Sequence, residues 1–183
     1  MPNIFESLSR KRRIAARILS LKELPIYVYR WDRRPPIVVR CQGFQPWNAE
    51  GDVTLIEHVR NSYGANREKA GLQVKEDSQW VSTGAYGMLK RLDPVFAQQV
   101  LNTNLYKIDT SIALKTGHFV DVNDYFDRVN LHRPYATQRE WCKLGGINPD
   151  AVIEYMAGRD FYNQLNEHLI PPDEDRLSGW KEF

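Results

Sequence analysis

The chain has 183 residues, of which 42% are hydrophobic, and a formal net charge of +2 at pH 7. This size and composition indicate one folded domain with its own core and exclude a disordered or fibrous chain. No apolar run approaches the length that spans a bilayer, so we expect no membrane partner. The basic region near the N-terminus is not followed by an apolar core, and we therefore expect no Sec-type signal peptide.

The first segment is basic and amphipathic. Apolar residues recur at helical spacing over residues 3–20, and five cations lie within the first seventeen residues. We predict a basic amphipathic helix over 1–22, a main domain over 23–160 and a mobile C-terminal tail over 161–183. The cations suit contact with phosphate or an anionic surface, and they equally suit a solvated helix face.

Short strands and helices follow without a steady alternation. Strands are predicted at Tyr27–Trp31, Gln79–Thr83, Leu105–Ile108, Ile112–Leu114, Glu140–Leu144 and Val152–Met156. Helices are predicted at residues 53–61, directly after Thr83, from the Asp93-Pro94 cap to Leu101, and at Asp121–Arg128. Residues 62–77 and Arg133–Thr137 are predicted to be loops, and Gly145-Gly146 a turn. This irregular order favours the α+β class over a doubly wound sheet.

Recognisable metal and phosphate motifs are missing from the sequence. Cys41 and Cys142 are isolated, which favours a reduced compartment over a disulfide framework. The four histidines lack metal-site spacing, and there is neither a glycine-rich phosphate loop nor a Gly-x-Ser-x-Gly elbow. We therefore expect no metal cofactor.

Three polar features at strand ends are the candidates for chemistry. Arg30 lies on a strand that Pro35-Pro36 terminate, and a guanidinium held there can bind phosphate or carboxylate through two parallel hydrogen bonds. A surface salt bridge is the alternative for Arg30. The other two features are Ser82-Thr83 at a strand end and Gln138-Arg139-Glu140 at a loop–strand junction. Each pattern alone is more typical of structural or solvated side chains.

In this order the features resemble the mono-ADP-ribosyltransferase toxin family, in its Arg…Ser-Thr…Gln-x-Glu class, which includes the catalytic subunit of pertussis toxin. The similarity extends from about Tyr27 to Tyr155 and is greatest to the guanine-modifying branch of pierisin and scabin. The motifs that resemble that branch are Arg30-Trp31-Asp32-Arg33-Arg34-Pro35-Pro36 with Gly43-Phe44, Val120-Asp121-Val122-Asn123-Asp124, and Gln138-x-Glu140 followed by Gly145-Gly146-Ile147. The departures are Ser82-Thr83-Gly84, where the class often has a second serine, and Trp141-Cys142-Lys143-Leu144, where it has an apolar run.

The resemblance implies an α+β fold of the ADP-ribosyltransferase type, with two packed small β-sheets flanked by helices. It also implies that NAD, as co-substrate, is cleaved between nicotinamide and ribose and that ADP-ribose is transferred. Glu140 would be the catalytic carboxylate that opposes the positive charge on the ribose. Arg30 would bind the pyrophosphate of NAD. Ser82 and Thr83 would orient Glu140 by hydrogen bonding. His58 is also expected at the NAD site, and Tyr86 could stack on nicotinamide. Trp80 is expected to pack in the core.

The acceptor is inferred from two residues before Glu140. In the resembled class the position of Gln138 reads the acceptor, and its amide can pair with the edge of guanine. Tyr135 could stack on a base, which is worth about 1–3 kcal/mol. These residues favour guanine in DNA as the acceptor. A side chain of a target-cell protein, and an inactive binding module supported by Gly84, remain the alternatives.

The resemblance also bears on where the protein acts. It implies a secreted toxin or effector, delivered by a leaderless route or as part of a larger toxin. The site of action would be the cytosol or nucleus of a target cell, and an immunity protein would be a further partner.

Overall fold

The structure is a computed structural model that describes residues 23–61, 76–92, 94–133 and 135–183. The predicted helix over 1–22, most of the predicted loop over 62–77 and the predicted cap residue Asp93 lie outside the described residues. Within the described residues, every helix is too short or too polar to span a bilayer.

The described residues contain seven strands that pair antiparallel in one sheet of order β4-β5-β2-β1-β3-β6-β7. The strands are β1 (Tyr27–Asp32), β2 (Trp80–Gly84), β3 (Asn104–Asp109), β4 (Phe119–Asp121), β5 (Glu140–Leu144), β6 (Val152–Ala157) and β7 (Lys181–Glu182). The α-helices described are α1 (Pro36–Gln42), α2 (Leu55–Asn61), α3 (Pro94–Val100), α4 (Thr110–Ala113), α5 (Val122–Arg128) and α6 (Gly158–Asn166). The α+β class is confirmed.

The sheet consists of two halves that meet at β1 and β2. Strands β1 and β2 share a single register pair, Tyr29 with Gly84, whereas β1 and β3 pair over six residues. Beyond that pair the Arg30 guanidinium replaces backbone pairing, because its Nη1 donates to the Ser82 carbonyl at 2.7 Å. The two small sheets predicted from the sequence are therefore halves of one sheet, and the gap between them opens the cavity described below.

Aspartate caps decide two local structures. The Asp109 carboxylate accepts hydrogen bonds from the backbone N–H groups of Ser111 (2.8 Å) and Ile112 (3.3 Å). These bonds satisfy the free donors of a helix start, so the segment forms α4, and the predicted strand at Ile112–Leu114 is wrong. Asp121 caps α5 in the same way through Asp124, and the predicted helix there is confirmed.

The last segment packs on the sheet, which corrects the predicted mobile tail over 161–183. Phe161 and Leu177 are buried, and Trp180 stacks on Tyr29 with ring centroids 5.8 Å apart. The Tyr29 hydroxyl donates to the Glu174 carboxylate at 2.5 Å. The polar composition of this segment predicts a mobile tail. Burial of its apolar side chains and a charge-assisted hydrogen bond instead offset the entropy cost of ordering it.

Candidate active site

A cavity of about 350 Å³ lies where the two halves of the sheet separate. Its walls come from β1, β2, the 3₁₀ helix Tyr86–Arg91, α3 and the turn before β5. The volume lies within the range of small-molecule sites. The predicted site residues that line it are Arg30, Ser82, Thr83, Gln138 and Glu140.

Glu140 is the first residue of β5 and lies opposite Gly84 on β2. Its side chain is buried, with 6% of the residue exposed, and the Cys142 thiol donates to its Oε1 at 3.3 Å. Among the described residues, Oε2 has no hydrogen-bond partner. Burial raises the pKa of Glu140, while the Ser82 hydroxyl, the Cys142 thiol and the Arg30 charge act against that rise.

His58 supports Ser82 from behind the cavity. His58, on α2, has Nδ1 2.7 Å from Ser78 Oγ and Nε2 2.9 Å from Ser82 Oγ. With its proton on Nε2, His58 donates to Ser82 Oγ and accepts from the Ser78 hydroxyl at Nδ1, while Ser82 Oγ lies 4.0 Å from Cys142 Sγ. Burial, and then the charge of Arg30, lower the pKa of His58 to about 4, so the imidazole is neutral at pH 7.

Arg30 lines the cavity, and three contacts hold its guanidinium in place. Its Nη1 donates to the Ser82 carbonyl, its Nε lies 3.4 Å from Asp32, and its guanidinium lies 5.4 Å from the centre of the Phe44 ring. Asp32 in turn holds Arg34 through two side-chain hydrogen bonds of 2.9 and 2.8 Å. Burial opposes ionisation of Asp32, but the bonds from Arg34 and the Arg30 charge lower its pKa.

Thr83 and Tyr86, which the sequence predicts to orient or bind NAD, make other contacts in the structure. The Thr83 hydroxyl donates to the Trp141 carbonyl at 2.7 Å, so Thr83 fixes the backbone beside Glu140 rather than its carboxylate. Tyr86 is buried beside Tyr29, and its hydroxyl donates to the Pro171 carbonyl at 2.8 Å. The structure therefore places Tyr86 in the core, away from the group formed by Arg30, Ser82 and Glu140. Stacking of Tyr86 on nicotinamide stays a prediction.

The turn before Glu140 is held from both sides. Asn123 Nδ2 donates to the Ala136 carbonyl at 3.1 Å, so the Val120–Asp124 motif anchors the turn that carries Gln138. Arg139 has φ of 45°, a left-handed conformation that costs a non-glycine residue about 1–3 kcal/mol. Its carbonyl accepts from the Ala85 N–H at 3.0 Å. This kink places both Gln138 and Glu140 at the cavity.

Tyr135 precedes the turn and is half-buried against the cluster that contains Val122 and Phe126. Its carbonyl accepts from the Gln138 N–H at 3.0 Å. Tyr135 therefore positions Gln138, and its stacking on a base stays a prediction. Trp80 packs in the same cluster, and its Nε1 donates to the Val53 carbonyl at 2.8 Å, as expected for a core residue.

Gly84 occupies the position of the usual serine because Met88 takes the space. A Cβ atom on Gly84 would lie 2.4 Å from Met88 Sδ and 3.2 Å from the Gln138 carbonyl oxygen. Met88 also lines the cavity. The missing hydroxyl is thus replaced by a thioether from the neighbouring 3₁₀ helix.

Sequence reasoning missed Asp32 and Cys142 as site residues. Asp32 follows Arg30 by two positions, and Cys142 follows Glu140 by two, each on the same strand. Side chains two apart on a strand share a face, so this spacing was the signal that could have identified both.

Residues 28–169 of the chain match a protein-family model described as Scabin-like, which covers more than half of the sequence. The chain belongs to the Scabin-like family. The resemblance of this Scabin-like chain to mono-ADP-ribosyltransferase toxins is thereby confirmed. The comparison with curated proteins gives no match.

Solved structures similar to this Scabin-like chain include two of the scabin toxin from Streptomyces scabies. One is a scabin variant, with 26% identity over 71% of this chain and 63% of that chain, at a TM-score of 0.47. The other is scabin in complex with NADH, with 26% identity over 71% and 62% and a TM-score of 0.47. A guanine-specific ADP-ribosyltransferase has 21% identity over 74% of this chain and 68% of that chain, at a TM-score of 0.49. The chain spans less than two thirds of the scabin chains.

Proposed function

We propose that the chain is an NAD-dependent mono-ADP-ribosyltransferase that transfers ADP-ribose to guanine in DNA. The observation that carries this proposal is the shared cavity of Arg30, Ser82, Gln138 and Glu140, in which one buried Glu140 oxygen lacks a hydrogen-bond partner among the described residues. An oxygen in that state is ready to accept a hydrogen bond from a ribose hydroxyl.

Arg30 supplies the positive charge for the pyrophosphate. Its guanidinium lines the cavity, and its side chain keeps 27% of its surface exposed while Asp32, Phe44 and the Ser82 carbonyl fix its direction. A pre-oriented planar fork loses little entropy when it binds a phosphate group. Arg33 also lines the cavity and adds a second exposed cation on the same wall.

The reaction begins with heterolysis of the bond between nicotinamide and ribose. Nicotinamide leaves with the bonding electron pair as a neutral base, and positive charge develops on the ribose. The Glu140 carboxylate opposes this charge, and its burial strengthens the interaction because little water screens it. Ser82 and Cys142 hold the carboxylate in place before the charge develops. An acceptor atom then attacks the ribose carbon, and its proton passes to solvent.

Gln138 supports guanine as the acceptor. It lines the same cavity as Glu140, and its amide offers a donor and an acceptor, which match the edge of guanine. Membership of the Scabin-like family adds support, because the motifs that resemble scabin are those of a guanine-modifying branch. Transfer to protein side chains alone, with none to DNA, is the outcome that would exclude guanine.

The test uses NAD labelled in its adenosine part. We would incubate the protein separately with duplex DNA, single-stranded DNA, RNA and cell lysate, and analyse the digested nucleosides by mass spectrometry. ADP-ribosylated deoxyguanosine is the expected product. Label on lysate protein alone would refute guanine and leave the transferase intact, and no nicotinamide release at all would leave an inactive binding module.

Gln138→Ala separates the two half-reactions. We expect this variant to release nicotinamide at nearly the normal rate and to lose most transfer to DNA. Gln45→Ala, which changes an exposed glutamine bonded to the Gln42 carbonyl, is the matched control. An equal loss of both activities in Gln138→Ala would refute its role in binding the acceptor.

A further inference from the structure

Four polar side chains converge at the cavity wall on one face of the β2–β5 pair. Ser82 and Cys142 are directly opposite each other in the register of these strands, and Glu140 lies two residues before Cys142 on the same face. His58 reaches this group from α2, with Nε2 2.9 Å from Ser82 Oγ. One donor atom each from His58, Glu140 and Cys142 lie within 4.8 Å of one another.

We propose that this group is an inhibitory binding site for Zn²⁺, with His58 Nε2, Cys142 Sγ and a Glu140 oxygen as the protein ligands. Imidazole, thiolate and carboxylate are the ligand types that zinc binds in proteins. Tetrahedral coordination at ordinary zinc distances separates ligand atoms by about 3.3–3.8 Å, so the ligands reach the ion with small rotations of their side chains. A water molecule or Ser82 Oγ completes the fourth position.

Glu140 supplies a second sign of a ligand, beside the grouping of the three donor atoms. The residue is 6% exposed, yet its Oε2 has no hydrogen-bond partner among the described residues. A buried carboxylate oxygen without a partner carries a desolvation cost that a bound cation removes. Zn²⁺ brings two positive charges, and a carboxylate together with a thiolate balances them, so the complex is neutral and compatible with burial.

The outer contacts of the histidine also suit a metal site. His58 Nδ1 lies 2.7 Å from the oxygen of Ser78, a residue that is 1% exposed. When Nε2 binds the ion, the proton moves to Nδ1 and is donated to Ser78 Oγ, the arrangement that orients most metal-bound histidines. Ser78 can exchange roles because a hydroxyl both donates and accepts. Binding releases the Cys142 thiol proton to solvent.

Inhibition follows from the use of Glu140. A Glu140 oxygen bound to Zn²⁺ cannot oppose the charge on the ribose, so this consequence rests on the proposed function, whereas metal binding itself does not. Glu140 and Ser82 line the cavity, which gives the ion its route in, and bound NAD would cover that route. Zn²⁺ and NAD should therefore compete.

Cobalt(II) absorption tests the site without any use of activity. The protein is freed of metal with a chelator and titrated with Co²⁺, and the charge-transfer band of a cobalt–thiolate bond is recorded. We expect the band in the unchanged protein and its loss when Zn²⁺ is added. Cys142→Ser should abolish the band, whereas Cys41→Ser, which changes the exposed cysteine on α1, should retain it. No band, or a band that disappears in Cys41→Ser, would overturn the proposal.

His58→Gln gives a second measurement that keeps the thiol. We expect Co²⁺ to bind this variant at least about tenfold more weakly, the smallest loss usual for damage around a metal site. Unchanged affinity in a variant with a normal melting curve would overturn the assignment of His58 as a ligand.

Nicotinamide release then reports the inhibition. Zn²⁺ should stop release in the unchanged protein and in Cys41→Ser, a chelator should restore it, and higher NAD concentrations should protect it. A cobalt–thiolate band in a protein that releases no nicotinamide would refute the proposed function and leave the metal site standing. Full activity with Zn²⁺ bound would refute the inhibition.

Discussion

The Nε2 atom of His58 lies 2.9 Å from the Oγ atom of Ser82, and this contact joins α2 to the strand that pairs with the strand of Glu140. The neutral imidazole and the Ser82 hydroxyl share a hydrogen bond, and the Ser82 hydroxyl acts against the rise in the pKa of Glu140 that burial causes. Hydrogen bonds in series polarise one another in a low-dielectric interior, so His58 acts on Glu140 without touching it. We therefore expect His58 to act as a positioning residue.

Glu140→Gln should retain NAD binding and lose turnover about 10²–10³-fold, because the amide keeps the shape of the side chain and lacks the opposing charge. NAD binding is measured by calorimetry and turnover by nicotinamide release. Glu182→Gln, at an exposed position on β7, is the control and should be fully active. A Glu140→Gln variant that turns over NAD normally would exclude Glu140 as the catalytic carboxylate.

The pH profile of nicotinamide release should fall on the acid side at a pH above 4.5, the ordinary pKa of glutamate. Burial raises the pKa of Glu140, and only its ionised form opposes the ribose charge. Ser82→Ala removes a donor that favours ionisation, so its acid limb should move to still higher pH. Ser178→Ala, an exposed change, should leave the limb in place. If the acid limb of the pH profile does not move in Ser82→Ala, the Ser82 hydroxyl does not influence the ionisation of Glu140.

Unfolding experiments should show stability falling as the pH is lowered from 6.5 toward 4. The pKa of His58 is 6.5 in a free side chain and about 4 in the fold, so in this window the unfolded chain binds a proton that the folded chain does not. The loss for this single group amounts to about 3 kcal/mol at most. Urea titrations of His58→Gln should lack this slope, and those of the exposed His118→Gln should keep it.

Gly84→Ser restores the serine that is usual in the resembled class, and we expect it to destabilise the protein by about 1–3 kcal/mol through overpacking against Met88. Combining it with Met88→Ala should recover part of that loss, because the clashing Sδ is the far part of a flexible side chain. Thermal melting of the two single variants and the double variant measures the coupling. Strictly additive losses would show that Met88 is not the obstacle.

Several elements were predictable because local chemistry decides them. Strand β5 begins at Glu140 as predicted, and α5 begins after the Asp121 cap. The apolar residues of Ile112–Leu114 predict a strand, yet the Asp109 cap, three residues before Ile112, starts a helix there. The polar composition of the C-terminal segment predicts a mobile tail, but the segment packs against Tyr29, which lies far away in the sequence.

The sequence by itself determined the family and the positions of Arg30, Ser82, Gln138 and Glu140, because these motifs are short and each is carried by one strand end or turn. Only the tertiary structure decided that His58 and Cys142 adjoin Glu140, that Tyr86 belongs to the core, and that Met88 replaces a serine. The reason is that burial and cross-strand register depend on residues distant in the chain. A side chain's neighbours, and with them its pKa, exist only once the sheet is assembled.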